Sequence, residues 1–130
     1  EYVLGIGCKR GKTENEIAAF IREKLDALGI TEEDVAGIFS IDRKKEEAGI
    51  VGWAAHQAVP YHTFSAEVLK QISGAFASSD FVKKTVGVDN VCERSALAGC
   101  ESYGGGELIL KKQARDGITL AVAKIRAAVG

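Results

Sequence analysis

The loop after the first apolar segment combines residue types that bind anions. It reads GIGCKRGKT and carries three glycines, one cysteine and three cations, namely Gly5, Gly7, Gly11, Cys8, Lys9, Arg10 and Lys12. It joins a predicted strand, Tyr2 to Ile6, to an amphipathic helix. Such a turn directs free backbone N–H groups and the positive end of a helix dipole towards a ligand. The loop therefore predicts an anion site, unless its glycines only permit a tight turn and its cations are solvated.

A nucleotide-binding phosphate loop is the first specific hypothesis for this segment. It requires the spacing G-x-x-x-x-G-K-[ST]. Gly11, Lys12 and Thr13 supply only its end, because Ile6 stands where the first glycine belongs. The dinucleotide pattern G-x-G-x-x-G fails too, since Arg10 occupies its last glycine position. The spacing therefore argues against nucleotide hydrolysis.

Cys8 is a candidate nucleophile within the loop. A cysteine at a helix N-terminus beside cations has a lowered pKa and becomes reactive. No triad arrangement is evident around it, so a small buried cysteine is the alternative. The three cysteines of the chain also lack C-x-x-C spacing, and we expect no metal site.

Polar residues also follow two other predicted strands. Asp42 and Lys44 come after the strand Val35 to Ile41, and His62, Ser65 and Glu67 lie near the end of the strand Pro60 to Phe64. In an open α/β sheet the carboxyl ends of parallel strands meet at one edge, where ligands bind. We therefore expect all three strand exits to share one rim.

Each of these residues also has a structural interpretation. Asp42 is either a general base or ligand-binding carboxylate, or the cap of the following helix. His62 is either a proton shuttle or a partly buried, hydrogen-bonded residue, and Ser65 also suits an N-cap. Lys111, on a later strand, either frames an acidic ligand or protects a sheet edge.

Composition restricts the class of protein. The 130 residues are 46% hydrophobic and 27% charged, with a net charge of −1. This balance argues against a general nucleic-acid or membrane-surface binder, and no apolar run approaches the roughly 20 residues of a membrane span. We expect a cytoplasmic protein. Because methionine is absent even from the first position, we also expect a trimmed chain or a piece of a longer polypeptide.

Alternating strand and helix signals predict one α/β domain over residues 1–130, with three layers, a mostly parallel sheet and a C-terminal antiparallel hairpin. A capping box, Thr13 with Glu16, starts the first helix, and Gly29 ends it. Further helices are predicted from Glu46 to Gln57, after Ser65, around Phe81 to Val86 and from Asn90 to Gly99. The hairpin strands are Glu107 to Lys112 and Ile118 to Ile125.

The helix from Glu46 to Gln57 has a predicted inner face. Its inward residues are Ile50, Val51, Ala54, Ala55 and Ala58, whereas Trp53 and His56 are expected on the outer face. Glu46 and Glu47 suit its first turn, where acidic residues stabilise the helix dipole.

Six segments in succession carry a family resemblance. They are GIGCKRG, the run from Ile41 to Glu47, Phe64 to Glu67, Ser79-x-x-Val82, the helix start from Gly87 to Leu97, and the hairpin from Leu110 to Ala123. Together they resemble the C-terminal domain of the CbiG family of cobalamin-biosynthesis proteins and its single-domain relative CobE. The resemblance covers nearly the whole chain in the expected order.

The resemblance implies a role in making the corrin ring. Full-length members of the family are cobalt-precorrin-5A hydrolases, which open a lactone on the macrocycle and release a two-carbon fragment as acetaldehyde. The implied substrate is a cobalt tetrapyrrole fringed with carboxylates, with cobalt present only in the substrate and no other cofactor. The implied partners are an N-terminal domain of the same polypeptide or other corrin-pathway enzymes, and neither nucleic acid nor membrane.

Roles for individual residues follow from the resemblance. The loop binds the tetrapyrrole carboxylates together with Lys44, Ser65 and Lys111, and Asp42, helped by Glu67 or His62, activates water. Two positions depart from the family pattern, since Glu46 replaces an aspartate and Val68 a glutamate, and the sequence holds no counterpart of the larger N-terminal part. The alternatives are a non-catalytic module that holds or hands over corrin intermediates, and a generic phosphoanion-binding domain.

Overall fold

The computed structural model describes residues 1–72 and 90–126. Its strands are β1 (Tyr2–Cys8), β2 (Val35–Ile41), β3 (Tyr61–Phe64), β4 (Gly106–Arg115) and β5 (Ile118–Ile125). Its helices are α1 (Glu14–Leu28), α2 (Ala48–Gln57), α3 (Ala66–Lys70) and α4 (Val91–Glu101), with 3-10 turns at Glu32–Asp34 and Asp42–Lys44. The helix expected around Phe81 to Val86 and the Ser79-x-x-Val82 motif lie outside the described residues.

The five strands form one sheet in the order β3-β2-β1-β5-β4. β1, β2 and β3 are parallel, whereas β5 runs antiparallel to both β1 and β4. β1 is therefore the central strand, with Leu4 opposite Ile38 of β2 and Val122 of β5. The predicted α/β fold is confirmed, with parallel strands in the first half of the chain and an antiparallel C-terminal hairpin that joins the sheet through β5.

Helices cover both faces of the sheet, as a three-layer domain requires. Strand alternation sends Leu4 and Ile6 to the face under α1 and α2, and Val3 and Gly5 to the face under α4. On the first face the helices contribute Ile17, Phe20, Ile21, Leu25, Ile50 and Trp53 to the core. On the second face Phe39, Cys92, Ala96 and Cys100 pack around Val3.

The predicted ends of α1 are confirmed. Thr13 Oγ1 accepts a hydrogen bond from Glu16 N–H at 3.1 Å, and Glu16 Oε1 accepts one from Thr13 N–H at 3.0 Å. Gly29 ends the helix at φ 73°, a left-handed conformation that glycine adopts without steric cost. This start places the N-terminus of α1 directly after the glycine-rich cationic loop.

α2 differs from its prediction in both its start and its buried face. It begins at Ala48 rather than two residues earlier. Trp53, expected on the outer face, is 1% exposed in the core, whereas Val51, Ala55 and Ala58, expected inside, are exposed. The helix is apolar nearly all round, so its periodicity does not identify the buried face.

A buried carboxylate joins α4 to the edge strand. Glu93 is 2% exposed, and its carboxylate accepts hydrogen bonds from Lys112 N–H at 2.6 Å and from Asn90 Nδ2 at 2.7 Å. The register of β4 against β5 is irregular between Leu110 and Gln113. Because a charge-assisted bond to a backbone N–H is strong, this contact fixes how the irregular part of β4 lies on α4.

Gly5 lies in the buried middle of β1, where α4 crosses the strand. A Cβ atom at this position would overlap the carbonyl oxygen of Cys92 and lie 2.6 Å from Ala96 N. The close approach of the helix therefore explains the glycine. Gly5, a predicted ligand-binding residue, is buried beneath α4 in this structure.

We expect Gly5→Ala to lower the free energy of unfolding by about 3 kcal/mol, because a clash with helix backbone is not relieved by a rotamer change. Urea denaturation followed by circular dichroism measures this loss. Gly7→Ala is the matched control, since its Cβ would meet only the Thr119 hydroxyl, at 2.8 Å. The control should lose about 1 kcal/mol, and equal losses in the two variants would contradict the packing explanation.

Candidate anion-binding site

A cleft of about 500 Å³ lies at the carboxyl ends of β1 and β2. We call it the carboxyl-end cleft, and its lining residues are Gly7, Cys8, Arg10, Ile41, Arg43, Lys44, Glu47 and Val91. They come from the loop, both strand ends, the segment before α2 and the first residue of α4. The lining thus combines three cations and one carboxylate with the apolar side chains of Ile41 and Val91.

The structure separates the three cations of the loop. Arg10 lines the cleft and, among the described residues, makes no hydrogen bond or ion pair. Lys9 and Lys12 lie along the hairpin turn instead, where a Cβ atom on Gly117 would come within 2.8 Å of Lys9 Cδ and 3.2 Å of Lys12 Cε. Lys12 Nζ also pairs with Glu16 Oε2 at 3.4 Å. The loop therefore contributes one cation to the cleft, and the turn before α2 contributes the other two.

Glu47 is the carboxylate that faces the loop. Its Oε2 accepts a hydrogen bond from Gly11 N–H at 3.0 Å, and its Oε1 lies 3.6 Å from Lys44 Nζ. Its side chain is only 11% exposed. The sequence predicts Glu47 in the first turn of a helix. It does not predict the contact with Gly11, because the two residues are 36 positions apart in the chain.

The environment of Cys8 does not favour a nucleophile. Burial and the nearby carboxylate of Glu47 raise the pKa of the Cys8 thiol, and they outweigh the opposite effect of Lys44 and Lys12. The thiol is therefore protonated at neutral pH, and a thiol is a poor nucleophile. The structure supports the interpretation of Cys8 as a small, partly buried residue of the cleft wall.

Tyr61 holds the segment that carries two of the cations. Its hydroxyl donates a hydrogen bond to the carbonyl oxygen of Lys44 at 2.6 Å. Burial is the main cause that raises the pKa of Tyr61 above its ordinary value, so the hydroxyl remains a donor. This bond ties the turn before α2 to β3 and so helps to position the cleft.

A second depression, of about 430 Å³, lies beside β3. Its lining residues are Asp42, Lys45, Tyr61, His62 and Thr63, and we call it the β3 depression. Asp42 Oδ1 accepts a hydrogen bond from Thr63 Oγ1 at 2.7 Å. Asp42 therefore does not cap α2. It is an exposed carboxylate held by β3.

The other two candidates for acid–base chemistry have separate partners. The His62 ring stacks on Phe39 with 6.1 Å between centroids, and Glu67 pairs with Lys70 at 3.3 Å. Within residues 1–72 and 90–126, no hydrogen bond joins either residue to Asp42. The structure thus brings Asp42 and His62 to one depression but does not form them into a dyad.

Of the predicted binding residues beyond the loop, two lie outside both depressions. Ser65 uses its hydroxyl to cap α3 by accepting a hydrogen bond from Val68 N–H at 3.2 Å. Lys111 lies on the edge strand β4, which β5 separates from β1. These positions fit the structural interpretations, in which Ser65 caps a helix and Lys111 protects a sheet edge.

Two general features of the described segments bear on function. No group of three or more histidine, cysteine, aspartate or glutamate side chains in these segments is placed to hold a metal ion. None of their helices has the length and apolar character that crossing a membrane requires.

Comparison with known proteins identifies the family. The family described as "Cobalamin synthesis G C-terminus" matches residues 2–123. The chain belongs to this family. The fold agrees, since the crystal structure of CobE, a protein from the cobalamin biosynthetic pathway, matches with a TM-score of 0.88 and 27% identity. That match covers 96% of this chain and 90% of CobE.

The curated relatives of this cobalamin synthesis G C-terminal domain differ in length. The cobalt-precorrin-5A hydrolase of Salmonella typhimurium is 32% identical over 92% of the chain, which corresponds to 33% of that hydrolase. Protein CobE of a Sinorhizobium species is 33% identical over 75% of the chain and 64% of its own length. The chain therefore spans about a third of the hydrolase relative and a larger part of CobE.

Two glycines of α2 show what holds the glycine-rich cationic loop in place. A Cβ atom on Gly49 would overlap the carbonyl oxygen of Lys12 and lie 2.8 Å from Ile17 Cδ1. The three atoms nearest to a Cβ atom on Gly52 would all belong to the side chain of Glu14. The loop therefore rests on the backbone of α2 at Gly49.

We expect Gly49→Ala to lower the free energy of unfolding by about 2 kcal/mol, since the new methyl group must displace loop backbone. Gly52→Ala is the control on the same helix. Its clash is relieved when Glu14 rotates, and alanine gains up to about 1 kcal/mol of helix propensity, so this variant should stay close to wild type. Urea denaturation of both variants checks the pair, and a tolerated Gly49→Ala would show that the loop does not depend on α2.

Proposed function

We propose that this chain is the substrate-binding domain of a cobalt-precorrin-5A hydrolase-like protein of cobalamin biosynthesis. The observation that carries the proposal is the carboxyl-end cleft, where Arg10, Arg43 and Lys44 lie together with the apolar side chains of Ile41 and Val91. The names of the relatives supply the substrate class, since several are cobalt-precorrin-5A hydrolases.

The chemistry of the cleft suits a tetrapyrrole. Such a ligand has a broad apolar ring with carboxylates on its periphery. Guanidinium and ammonium groups form short, charge-assisted hydrogen bonds with carboxylates, and Ile41 and Val91 offer apolar surface to the ring. Cobalt would arrive within the substrate, so the proposal requires no other cofactor. The partners would be an N-terminal domain of the same polypeptide or other enzymes of the pathway.

A catalytic role in lactone opening is the finer part of the proposal. Asp42 is the candidate base, because Thr63 holds one of its carboxylate oxygens while the side chain stays exposed. Its neighbour Arg43 lines the carboxyl-end cleft, so a large ligand that extends past Arg43 would reach this carboxylate. Asp42 would take a proton from water as the water attacks the lactone carbonyl, and would return it to the alkoxide that leaves when the ring C–O bond breaks. The freed hydroxyl would then lose its proton and become the aldehyde carbonyl as the C–C bond to the macrocycle breaks, and the macrocycle carbon would take up a proton. His62 and Glu67 would assist only through the bound substrate.

A non-catalytic module that holds or hands over corrin intermediates is the second candidate. It is supported by the match to CobE, because the structural alignment covers 90% of that protein. A domain of this size thus occurs in the pathway as a protein of its own. By contrast, the chain spans only 33% of the Salmonella hydrolase, so the remaining two thirds of that protein could hold the hydrolytic centre.

The first test is direct binding of a tetrapyrrole polycarboxylate. Uroporphyrin is a stable probe, and its absorbance should change on titration with the chain. Arg10→Ala should weaken binding about tenfold, because one charge-assisted hydrogen bond contributes roughly 1.5–3 kcal/mol. Added salt should weaken binding as well. Arg22→Ala is the matched control, since Arg22 pairs with Glu32 on the surface. An absence of any spectral change, or equal effects of the two substitutions, would overturn the assignment to this cleft.

The second test separates catalysis from binding in an intact hydrolase polypeptide that contains this domain. Asp42→Asn keeps the size of the side chain but removes the base, so acetaldehyde release from cobalt-precorrin-5A should fall at least about a hundredfold. Asp26→Asn, an exposed residue of α1, is the control with the same chemical change. If Asp42→Asn lowers affinity but leaves acetaldehyde release unchanged, the domain is a binding module.

A further inference from the structure

The carboxyl-end cleft already contains a carboxylate, and it comes from the chain itself. Glu47 receives a hydrogen bond from Gly11 N–H at 3.0 Å on one oxygen, and Lys44 Nζ lies 3.6 Å from the other. An N–H donor on one oxygen and an ammonium group near the other are the partners that a ligand carboxylate would need. The position therefore fits a carboxylate in both size and charge.

The fold of α2 does not require this contact. Glu47 is the N-cap residue of α2, yet its side chain makes no capping hydrogen bond to the helix. Its backbone carbonyl accepts hydrogen bonds from Ile50 N–H at 3.1 Å and Val51 N–H at 3.0 Å, so the start of the helix is held through the main chain. The carboxylate is thus free to rotate away without unwinding α2.

The surroundings leave room for an exchange. Gly11 has φ +87°, and nothing lies within 4 Å of the place where its Cβ atom would be. Arg10, the residue before Gly11, lines the carboxyl-end cleft. Glu47 and Lys44 line the cleft as well, so the Gly11 N–H and the Lys44 ammonium would face it if the Glu47 carboxylate moved out.

We propose that Gly11 N–H and Lys44 Nζ form an exchangeable carboxylate position, which Glu47 fills in the ligand-free chain and a carboxylate of the ligand takes over. The identity of that ligand as a tetrapyrrole rests on the proposed function, whereas the position itself does not. Glu47 then acts as an internal competitor. The apparent dissociation constant equals the intrinsic one divided by the fraction of molecules in which the position is open.

Neutralising the competitor should therefore strengthen binding. Glu47→Gln should lower the dissociation constant for uroporphyrin about tenfold, as expected if the position is open in roughly one molecule in ten. Glu47→Ala leaves no acceptor at all and should lower this dissociation constant at least as much. Glu46→Gln is the matched control, because it makes the same charge change one residue away on an exposed side chain and should leave the affinity unchanged.

Two outcomes of this titration would overturn the proposal. If Glu47→Gln weakens binding while circular dichroism shows a folded chain, Glu47 fastens the cleft and does not compete for it. If Glu46→Gln strengthens binding as much as Glu47→Gln, the gain comes from net charge alone and no exchange takes place.

A second measurement monitors the carboxylate position with a ligand that is not a tetrapyrrole. The amide resonance of Gly11 in a ¹⁵N spectrum should shift on titration with citrate, a small tricarboxylate, and should do so at lower citrate concentration in Glu47→Gln than in wild type. If citrate shifts this resonance but uroporphyrin does not bind, the position stands and the proposed function fails. If uroporphyrin binds while the Gly11 resonance stays unchanged, the proposed function stands and the position is wrong.

Discussion

The close approach of α4 to the middle of β1 decides where the residues of the carboxyl-end cleft lie. Gly5 makes that approach possible, because any larger side chain would overlap the helix backbone. The exposed Arg10 lies two residues after the end of β1, and Val91 is the first residue of α4. Arg10 and Val91 both line the cleft. This backbone contact in the core therefore sets the distance between the cationic loop and the apolar wall of the cleft.

The second support of the loop is α2. Gly49 lets the helix backbone meet the loop at Lys12. Because the Tyr61 hydroxyl also ties Lys44 to β3, the loop, the turn before α2 and the third strand are joined end to end. The groups that would hold a ligand are thus arranged before it arrives, which reduces the entropy lost on binding.

Local patterns predict those parts of the fold that depend on neighbours in the sequence. The capping box of Thr13 with Glu16 and the Ser65 cap involve partners three residues apart, and both are found as predicted. The contact between Glu47 and Gly11 spans 36 residues, and the one between Glu93 and Lys112 spans 19. No local rule specifies such pairs. For the same reason the sequence predicts three cations in the loop but not that only one of them faces the cleft.

An internal carboxylate raises the number of contacts that a ligand of the cleft must make. Arg10 and Lys44 bring like charges to the cleft, and Glu47 offsets part of their repulsion. A small anion such as phosphate would have to replace Glu47 and would gain few other contacts. A ligand with several carboxylates on an apolar ring would also reach Arg10 and the surfaces of Ile41 and Val91, and contacts made by one rigid molecule reinforce one another. Glu47 weakens every ligand of this position by the same factor, so only a ligand that makes these further contacts still binds tightly.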